Sequence, residues 1–322
     1  MQSSKRKLVT LFAALTEAQR DRINGAAEKN GFTAVFCGSK DEAKKEIQDA
    51  EIFLGMDADL ISFGNDLKWV CFTSAGVGHF MGVLEGRNIV LTNSSGAYGV
   101  TISEHIVMVI LELMRRRMEY FDIVRNRKWE NSLPIHSIRD SRITLLGTGN
   151  IGQETAARLK AFAPKTIVGV NRRGSNPEGL FDRIIPLSEM ESILPQTDLL
   201  ISSLPSTGQT KDLLTADRLR LLPVDAYLVN VGRGDTIDEE ALEQMLRNGS
   251  LGGAALDVFR QEPIPADSTL WECPGLIITP HSSGTWTLPF TVETIVDMFV
   301  KDFDNYCAGR ALERLVDKKE GY

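Results

Sequence analysis

The sequence has few of the residues that mark disulfide-rich or metal-binding proteins. It contains only 4 cysteines and 4 histidines in 322 residues. The cysteines (Cys37, Cys71, Cys273 and Cys307) are scattered along the chain without a CxxC pair, which excludes a compact disulfide framework and a thiolate metal motif. The histidines show no ligand spacing with one another or with the cysteines. We therefore expect reduced thiols and no metal.

Long apolar runs and an excess of positive charge are also missing. No apolar stretch reaches the roughly 18 residues of a membrane span, and the opening residues MQSSKRK lack the apolar core of a signal peptide. The 36 basic and 43 acidic residues give a net charge of −7, without the basic footprint of a nucleic-acid-binding protein. We expect a cytoplasmic protein that binds neither membrane nor nucleic acid, and its length suffices for two domains.

Strand and helix patterns alternate through the first hundred residues. Apolar strands are predicted at 7–12, 33–36, 51–54, 69–73 and 89–92. Between them, Thr16 and Gln19 fit a capping box for a helix that ends at Lys29, and Ser39 fits the start of another. This alternation indicates a parallel sheet with crossover helices. Further along, apolar periodicity predicts one long helix over 101–127 and another over 288–308.

Residues 143–152, ITLLGTGNIG, are the most informative stretch, because an apolar strand runs into a GxGxxG pattern. An amphipathic segment at 153–162 and a second apolar strand at 166–170 complete a βαβ unit. The glycines permit a tight turn, close approach of the backbone to a pyrophosphate, and close packing of helix on strand. The helix N-terminus favours the phosphates. The pattern predicts a dinucleotide-binding domain.

The residues after that second strand indicate which dinucleotide is bound. An NAD-binding domain needs an acid there for the ribose 2′-hydroxyl, but 19 residues past Gly152 the chain reads Asn171, Arg172, Arg173. These side chains offer neutral and charged donors to a 2′-phosphate. A pair of arginines in a loop is often only solvated, but the position in the βαβ unit favours NADP(H) over NAD(H).

Three polar residues follow later predicted strands, where open α/β sheets place their ligands. Arg233 follows the strand in LVNVGRG, Glu262 lies in ALDVFRQEP, and His281 lies in IITPHSSG. Hydride transfer to a 2-oxo acid needs a cation for the substrate carboxylate and a proton donor near neutrality. It also benefits from a carboxylate that orients the donor and stabilises its protonated form. Arg233, His281 and Glu262 match these three needs. The residues 236–239 that follow Arg233 fit a second capping box.

Together these motifs resemble the D-isomer-specific 2-hydroxyacid dehydrogenases, the family that includes glyoxylate/hydroxypyruvate reductases and phosphoglycerate dehydrogenase. The resemblance covers nearly the whole chain and rests on LLGTGNIG, LVNVGRGDTIDEEAL, ALDVFRQEP and TPHSSG, which occur in the family's order. The spacings of 29 residues from Arg233 to Glu262 and 19 from Glu262 to His281 are also similar.

The resemblance implies a role for each matching residue. His281 would be the acid/base, Glu262 its partner and Arg233 the anchor of the substrate carboxylate, assisted by the backbone of Val77 and Gly78 in a glycine-rich loop. Asp257 would bind the nicotinamide carboxamide, and Thr101 would lie near the nicotinamide. With the residues of the βαβ unit, the predicted cofactor contacts are Thr101, Gly147, Gly149, Asn150, Ile151, Gly152, Asn171, Arg172, Arg173, Leu204, Pro205, Val231, Gly232, Asp257 and Ser283.

The resemblance also implies an architecture. It predicts an α/β protein of two domains with parallel sheets, in which a Rossmann dinucleotide-binding domain (101–284) is inserted in a flavodoxin-like substrate domain (1–100 and 285–322). The active site would lie in a cleft between the domains, and a homodimer would form through the Rossmann domains and the long helix.

The function predicted is NADPH-preferring reduction of small 2-oxo acids, such as glyoxylate or hydroxypyruvate, to D-2-hydroxy acids. One alternative is oxidation of phosphoglycerate, which normally pairs with NAD. A second alternative is a dinucleotide-sensing transcriptional co-regulator without enzymatic activity, which would need a peptide-binding surface.

Overall fold

The computed structural model describes residues 6–172, 174 and 179–318. In these ranges the strands are β1 (Arg6–Thr10), β2 (Phe32–Phe36), β3 (Ile52–Leu54), β4 (Trp69–Cys71), β5 (Val90–Thr92), β6 (Arg142–Leu146), β7 (Thr166–Asn171), β8 (Arg183–Pro186), β9 (Leu199–Ser202), β10 (Tyr227–Asn230), β11 (Gly253–Leu256) and β12 (Leu276–Ile278). The α-helices are α1 (Glu17–Lys29), α2 (Lys40–Glu46), α3 (Ala58–Phe63), α4 (Met81–Leu84), α5 (Gly99–Met114), α6 (Arg117–Arg125), α7 (Asn150–Lys160), α8 (Ala216–Leu219), α9 (Glu239–Arg247) and α10 (Pro289–Cys307). None of the described helices is long and apolar enough to cross a membrane.

The chain divides into two compact units. The first contains the described residues up to Tyr98 and those from Thr285 on, and the second contains Gly99–Gly284. In the first unit, five parallel strands have the order β2-β1-β3-β4-β5, which is the flavodoxin order. Helix α1 begins with the predicted capping box, since Thr16 and Gln19 exchange both hydrogen bonds.

The two chain segments of the first unit share one core. The indole of Trp69 on β4 is fully buried and stacks on Phe299 of α10 at 5.5 Å between ring centroids. After α10, the Val316 amide donates to the carbonyl of Leu91 at 2.9 Å. The points where the chain leaves and re-enters this unit are also joined, because the indole nitrogen of Trp286 donates to the Tyr98 hydroxyl at 2.7 Å.

A buried carboxylate in the first unit gives a prediction about stability. Glu51 is 8% exposed, and it accepts hydrogen bonds from Arg6 (Nε to Oε2, 2.9 Å) and from the Tyr306 hydroxyl (2.8 Å). The bond from Arg6 is the main cause that lowers the pKa of Glu51 to about 2. Because this folded-state pKa is depressed, the stabilisation is fully present above a pH of about 4.5 and is lost as the pH falls toward 2.

We therefore expect Glu51→Gln to lower the free energy of unfolding by about 2 kcal/mol at neutral pH. The difference from the wild type should shrink as the pH falls below about 4.5. Urea unfolding at a series of pH values measures it, and a difference that stays constant with pH contradicts the assignment.

The second unit contains seven parallel strands in the order β12-β11-β10-β9-β6-β7-β8. Counted from β6, this is the Rossmann order 3-2-1-4-5-6 with one strand added. Because every neighbouring pair is parallel, the loops that follow the strands lie along one edge of the sheet. The predicted fold class, a Rossmann domain inserted in a flavodoxin-like domain, is confirmed.

Two local predictions in the second unit are wrong. The single helix expected over 101–127 is broken between α5 and α6, because Arg116 adopts a left-handed conformation (φ 54°). The apolar periodicity continues across the break and hides it. The capping box expected at 236–239 does not form either. Asp238 caps α9 by accepting from the Ala241 amide, and the Glu239 side chain instead accepts from the Arg260 amide.

Candidate active site

The carboxyl end of β6 leads into the turn that the GxGxxG pattern predicts. Gly147 has φ 101°, and a Cβ on Gly152 would lie 2.1 Å from the carbonyl oxygen of Gly147, so α7 packs directly on the turn. At Gly149, the residue before α7, a Cβ would meet nothing within 4 Å, and no side chain caps the helix. The first turn, with Asn150 and Ile151, thus presents amides and the positive end of the helix dipole to open space. These residues fit the pyrophosphate of a dinucleotide.

The chain after β7 carries the residues predicted for the 2′-phosphate. The Asn171 side chain donates to Thr148 Oγ1 at 2.8 Å and accepts from the Gly174 amide at 2.6 Å. Arg172 is exposed and forms no ion pair with the described residues. Arg173 lies outside the described residues. The guanidinium of Arg172 is therefore available to bind a ligand at the end of β7, while the Asn171 side chain closes the loop.

The ends of β9 and β10 are in direct backbone contact. A Cβ on Gly232 would lie 2.5 Å from the carbonyl oxygen of Leu204. Leu204 and Val231 are buried, and Pro205 is half-buried. These predicted cofactor residues therefore lie together on the same sheet edge as the glycine turn.

Asp257, at the end of β11, holds the loop after β12. Its carboxylate is 2% exposed and accepts hydrogen bonds from the hydroxyl of Thr279 (2.6 Å), the amide of Ser282 (2.9 Å) and the amide of Ser283 (3.1 Å). Its carbonyl oxygen accepts from the His281 amide at 2.9 Å. Asp257 thus fixes the segment that carries His281, a role that the sequence did not indicate. Its predicted contact with the carboxamide stays a prediction, as does that of Ser283.

His281 and Glu262 form a hydrogen-bonded pair. The His281 Nδ1 lies 2.7 Å from Glu262 Oε2, and Glu262 Oε1 accepts from the Phe259 amide at 2.8 Å. The His281 side chain is 54% exposed and makes no other hydrogen bond with the described residues. A carboxylate on one ring nitrogen fixes the orientation of the imidazole and leaves the other nitrogen for proton transfer.

Arg233 follows β10 and supplies a cation beside this pair. Burial lowers its pKa, against the opposing effects of the Glu262 and Asp235 charges. Its guanidinium donates to the carbonyl of Gly232 at 2.7 Å and forms no ion pair with any described residue. The next residue, Gly234, touches the loop of Glu262, because a Cβ there would lie 1.9 Å from the carbonyl carbon of Phe259. A half-buried cation that forms no ion pair favours an anionic ligand.

Comparisons with known proteins agree with this geometry. Residues 107–283, more than half of the chain, match the model of the D-isomer specific 2-hydroxyacid dehydrogenase, NAD binding domain. A glyoxylate reductase of Thermofilum pendens is 30% identical over 76% of this chain and 75% of its own length. The chain belongs to the D-isomer specific 2-hydroxyacid dehydrogenases.

Two further similarities span almost the whole molecule. The glyoxylate/hydroxypyruvate reductase B of Erwinia tasmaniensis is 28% identical over 96% of this chain and 97% of its own. A crystal structure of a D-isomer specific 2-hydroxyacid dehydrogenase family protein from Aeromonas salmonicida is 35% identical, with a TM-score of 0.87 over 98% of this chain and 100% of that one. This dehydrogenase is accordingly an NAD(P)-dependent oxidoreductase.

The loop predicted to bind the substrate carboxylate of this dehydrogenase lies in the first unit. Val77 is buried and Gly78 is exposed. The Asn93 side chain donates to the carbonyl of Ala75 at 2.9 Å, and the Ser74 hydroxyl donates to the carbonyl of Gly76 at 2.9 Å. These bonds fix the loop through its carbonyl oxygens and do not involve the backbone amides of Val77 and Gly78.

The dehydrogenase sequence also contains site residues that its motifs did not single out. Thr279 supports Asp257, and Gly234 permits the contact between the Arg233 segment and the Glu262 loop. A glycine directly after a residue predicted to bind the substrate can indicate that another backbone segment lies very close to it. Nothing in the sequence identifies Thr279, because its role depends on the pairing of β11 with β12.

Proposed function

We propose that this dehydrogenase transfers hydride from NADPH to small 2-oxo acids, such as glyoxylate and hydroxypyruvate, and forms D-2-hydroxy acids. The observation that carries the proposal is the 2.7 Å His281–Glu262 pair beside Arg233, which is half-buried and forms no ion pair with the described residues. A 2-oxo acid brings a carboxylate for such a cation and a carbonyl oxygen that needs a proton.

Each residue then has one task. Arg233 binds the substrate carboxylate and polarises the carbonyl through its planar guanidinium. The Nε2 of His281 gives a proton to the forming alkoxide, while Glu262 orients the imidazole through its bond to Nδ1. When bound, the reduced nicotinamide supplies the hydride.

The experiment that tests the proposal follows NADPH absorbance with glyoxylate, hydroxypyruvate, pyruvate and branched 2-oxo acids, and then repeats the series with NADH. Turnover with the small acids is the expected result. Preference for phosphohydroxypyruvate with NADH would favour the phosphoglycerate-type alternative. Tight dinucleotide binding without turnover of any acid would favour the co-regulator.

The preference for NADPH rests on the chain after β7. Arg172 is exposed without an ion pair among the described residues, and no acid in the segment 171–174 repels a 2′-phosphate. We expect Arg172→Ala to reduce the ratio of NADPH to NADH affinity about tenfold, the effect of one charged hydrogen bond. Fluorescence titration with both dinucleotides measures it.

Arg183 on β8 is a matched control, since it is also exposed on the same unit. Arg183→Ala should leave the ratio unchanged. If the ratio of NADPH to NADH affinity were unchanged in Arg172→Ala and in the double variant Arg172→Ala/Arg173→Ala, the proposed preference for NADP would be contradicted.

The proposed homodimer is supported by an apolar surface on the second unit. No residue of α6 is buried, and Phe121, Val124 and Trp129 are 45%, 66% and 97% exposed. Exposed apolar side chains that are close in sequence are typical of a protein interface. We expect the wild type to sediment as two chains and Val124→Glu to sediment as one. Val224→Glu is the control, because Val224 is 62% exposed and lies outside α6; dimers in Val124→Glu would contradict this interface.

A further inference from the structure

The loop that carries Glu262 has little structure of its own. Residues 257–263 lie outside helices and strands, and the bond from the Phe259 amide to Glu262 Oε1 is internal to the loop. That bond sets the direction of the carboxylate relative to the loop, but it does not place the loop relative to His281 or Arg233. The 2.7 Å pairing of Glu262 with His281 therefore needs external attachments.

Arg260 supplies these attachments. Its amide donates to Glu239 Oε1 at 2.6 Å, and its Nε donates to the carbonyl of Ile237 at 2.8 Å. Its terminal nitrogen also donates to the carboxylate of Asp212. The segment 234–239 that receives two of these bonds begins directly after Arg233.

Asp212 and the segment 234–239, which accept the bonds from Arg260, are themselves held in place. The Asp212 amide donates to the carbonyl of Asp235 at 2.7 Å, and the Leu214 amide donates to the carbonyl of Thr236 at 2.9 Å. At the start of the same segment, Gly234 packs so closely on the backbone of Phe259 that a Cβ there would lie 1.9 Å from its carbonyl carbon. The guanidinium thus fastens the Glu262 loop to a rigid support that also carries the proposed substrate anchor.

The charges around the loop are coupled as well. Burial raises the pKa of Glu239, and the negative charge of Glu262 adds to this, while Arg260 opposes it. Without Arg260, Glu239 and Glu262 would be two nearby carboxylates on a loosened loop. Their repulsion would favour movement of Glu262 away from His281.

We propose that Arg260 is a positioning residue, whose guanidinium holds the loop of Glu262 in place and thereby keeps the Glu262 carboxylate against His281. The inference rests on the proposed function for its kinetic readout only. The side chains of Arg260 and Asp212 are 38% and 54% exposed, and an ion pair so exposed contributes little to global stability. Loss of the Arg260 guanidinium should therefore affect the Glu262–His281 pair rather than the stability of the fold.

The kinetic test compares Arg260→Met with the wild type. We expect kcat to fall about tenfold, equivalent to about 1.4 kcal/mol of transition-state stabilisation, with NADPH affinity retained and a smaller change in KM. Arg260→Lys keeps the positive charge and one hydrogen-bond donor group, so its kcat should lie between those of Arg260→Met and the wild type. Arg247 is the matched control, because its guanidinium also binds one carboxylate, Glu243, and one carbonyl, Thr269. Arg247→Met should keep the wild-type kcat.

A second readout does not require turnover. The Nδ1 proton of a histidine bonded to a carboxylate gives a low-field proton NMR signal, which His281→Asn assigns by its disappearance. We expect the signal to broaden or move upfield in Arg260→Met and to persist in Arg247→Met. If the wild type reduces no 2-oxo acid, the proposed function fails, and this signal still tests the positioning. A wild-type signal together with wild-type kcat in Arg260→Met would overturn the inference.

Discussion

Replacement of His281 by asparagine is expected to lower kcat by a factor of about 10²–10⁴, the usual contribution of a general acid or base, with NADPH affinity unchanged. Glu262 holds the His281 imidazole through Nδ1 at 2.7 Å and leaves the other ring nitrogen to act as the proton donor. Asparagine is the appropriate replacement because His281 has φ 51°, a left-handed conformation that asparagine tolerates better than most residues. Single-turnover and steady-state kinetics, with a fluorescence titration of NADPH, measure the two quantities.

A second histidine provides the control. His136 is exposed, and its ring packs edge-on against Tyr227, the first residue of β10, at 5.7 Å. It thus lies at the amino end of the strands, opposite the edge that carries His281. His136→Asn should retain wild-type turnover. If His281→Asn retained it too, the proton donor would have to be sought elsewhere.

Replacement of Arg233 by glutamine should have the second large effect. We expect kcat/KM for the 2-oxo acid to fall by about 10²–10⁴, because two charged hydrogen bonds to the substrate carboxylate, worth roughly 1.5–3 kcal/mol each, are lost. The melting temperature is expected to rise, since burial disfavours the charged guanidinium of Arg233 in the free protein and no ion pair with a described residue offsets that cost. This opposition of activity and stability is typical of a binding residue.

Arg142 is the matched control for Arg233. It lies in the same unit, and its guanidinium binds Asp198 through Nε at 3.0 Å. Arg142→Gln should lower the melting temperature and leave kcat/KM unchanged, the reverse of the expected result for Arg233→Gln. Parallel losses of stability and activity in both variants would mean that Arg233 is a structural residue.

The parts of the fold that were predictable from the sequence are those that depend on local patterns. The capping box at Thr16 and the glycine turn at Gly147 depend on neighbours within a few residues, and both form as the pattern indicates. The long helix was wrongly predicted because the break at Arg116 depends on a backbone conformation that apolar periodicity does not report. The capping box at 236–239 was wrong because Glu239 is used by Arg260, a residue 21 positions away.

The candidate site divides in the same way. Residue type and strand-end position single out Arg233, Glu262 and His281, since parallel strands bring their ends to one edge. The supports of these residues could not be predicted, because they depend on the register between strands and loops. Asp257 reaches Thr279 and Ser283 across the pairing of β11 with β12, and Arg260 reaches Asp212 across 48 positions of the chain.

The hydrogen bond between Trp286 and Tyr98 has an evolutionary consequence. It ties together the exit and return points of a polypeptide whose intervening stretch forms an entire separate module. A module whose own termini lie close together can be spliced between such neighbouring points without stretching the host. The chain of the flavodoxin-like unit therefore leaves and returns at neighbouring points, the arrangement in which insertion of a whole domain is tolerated.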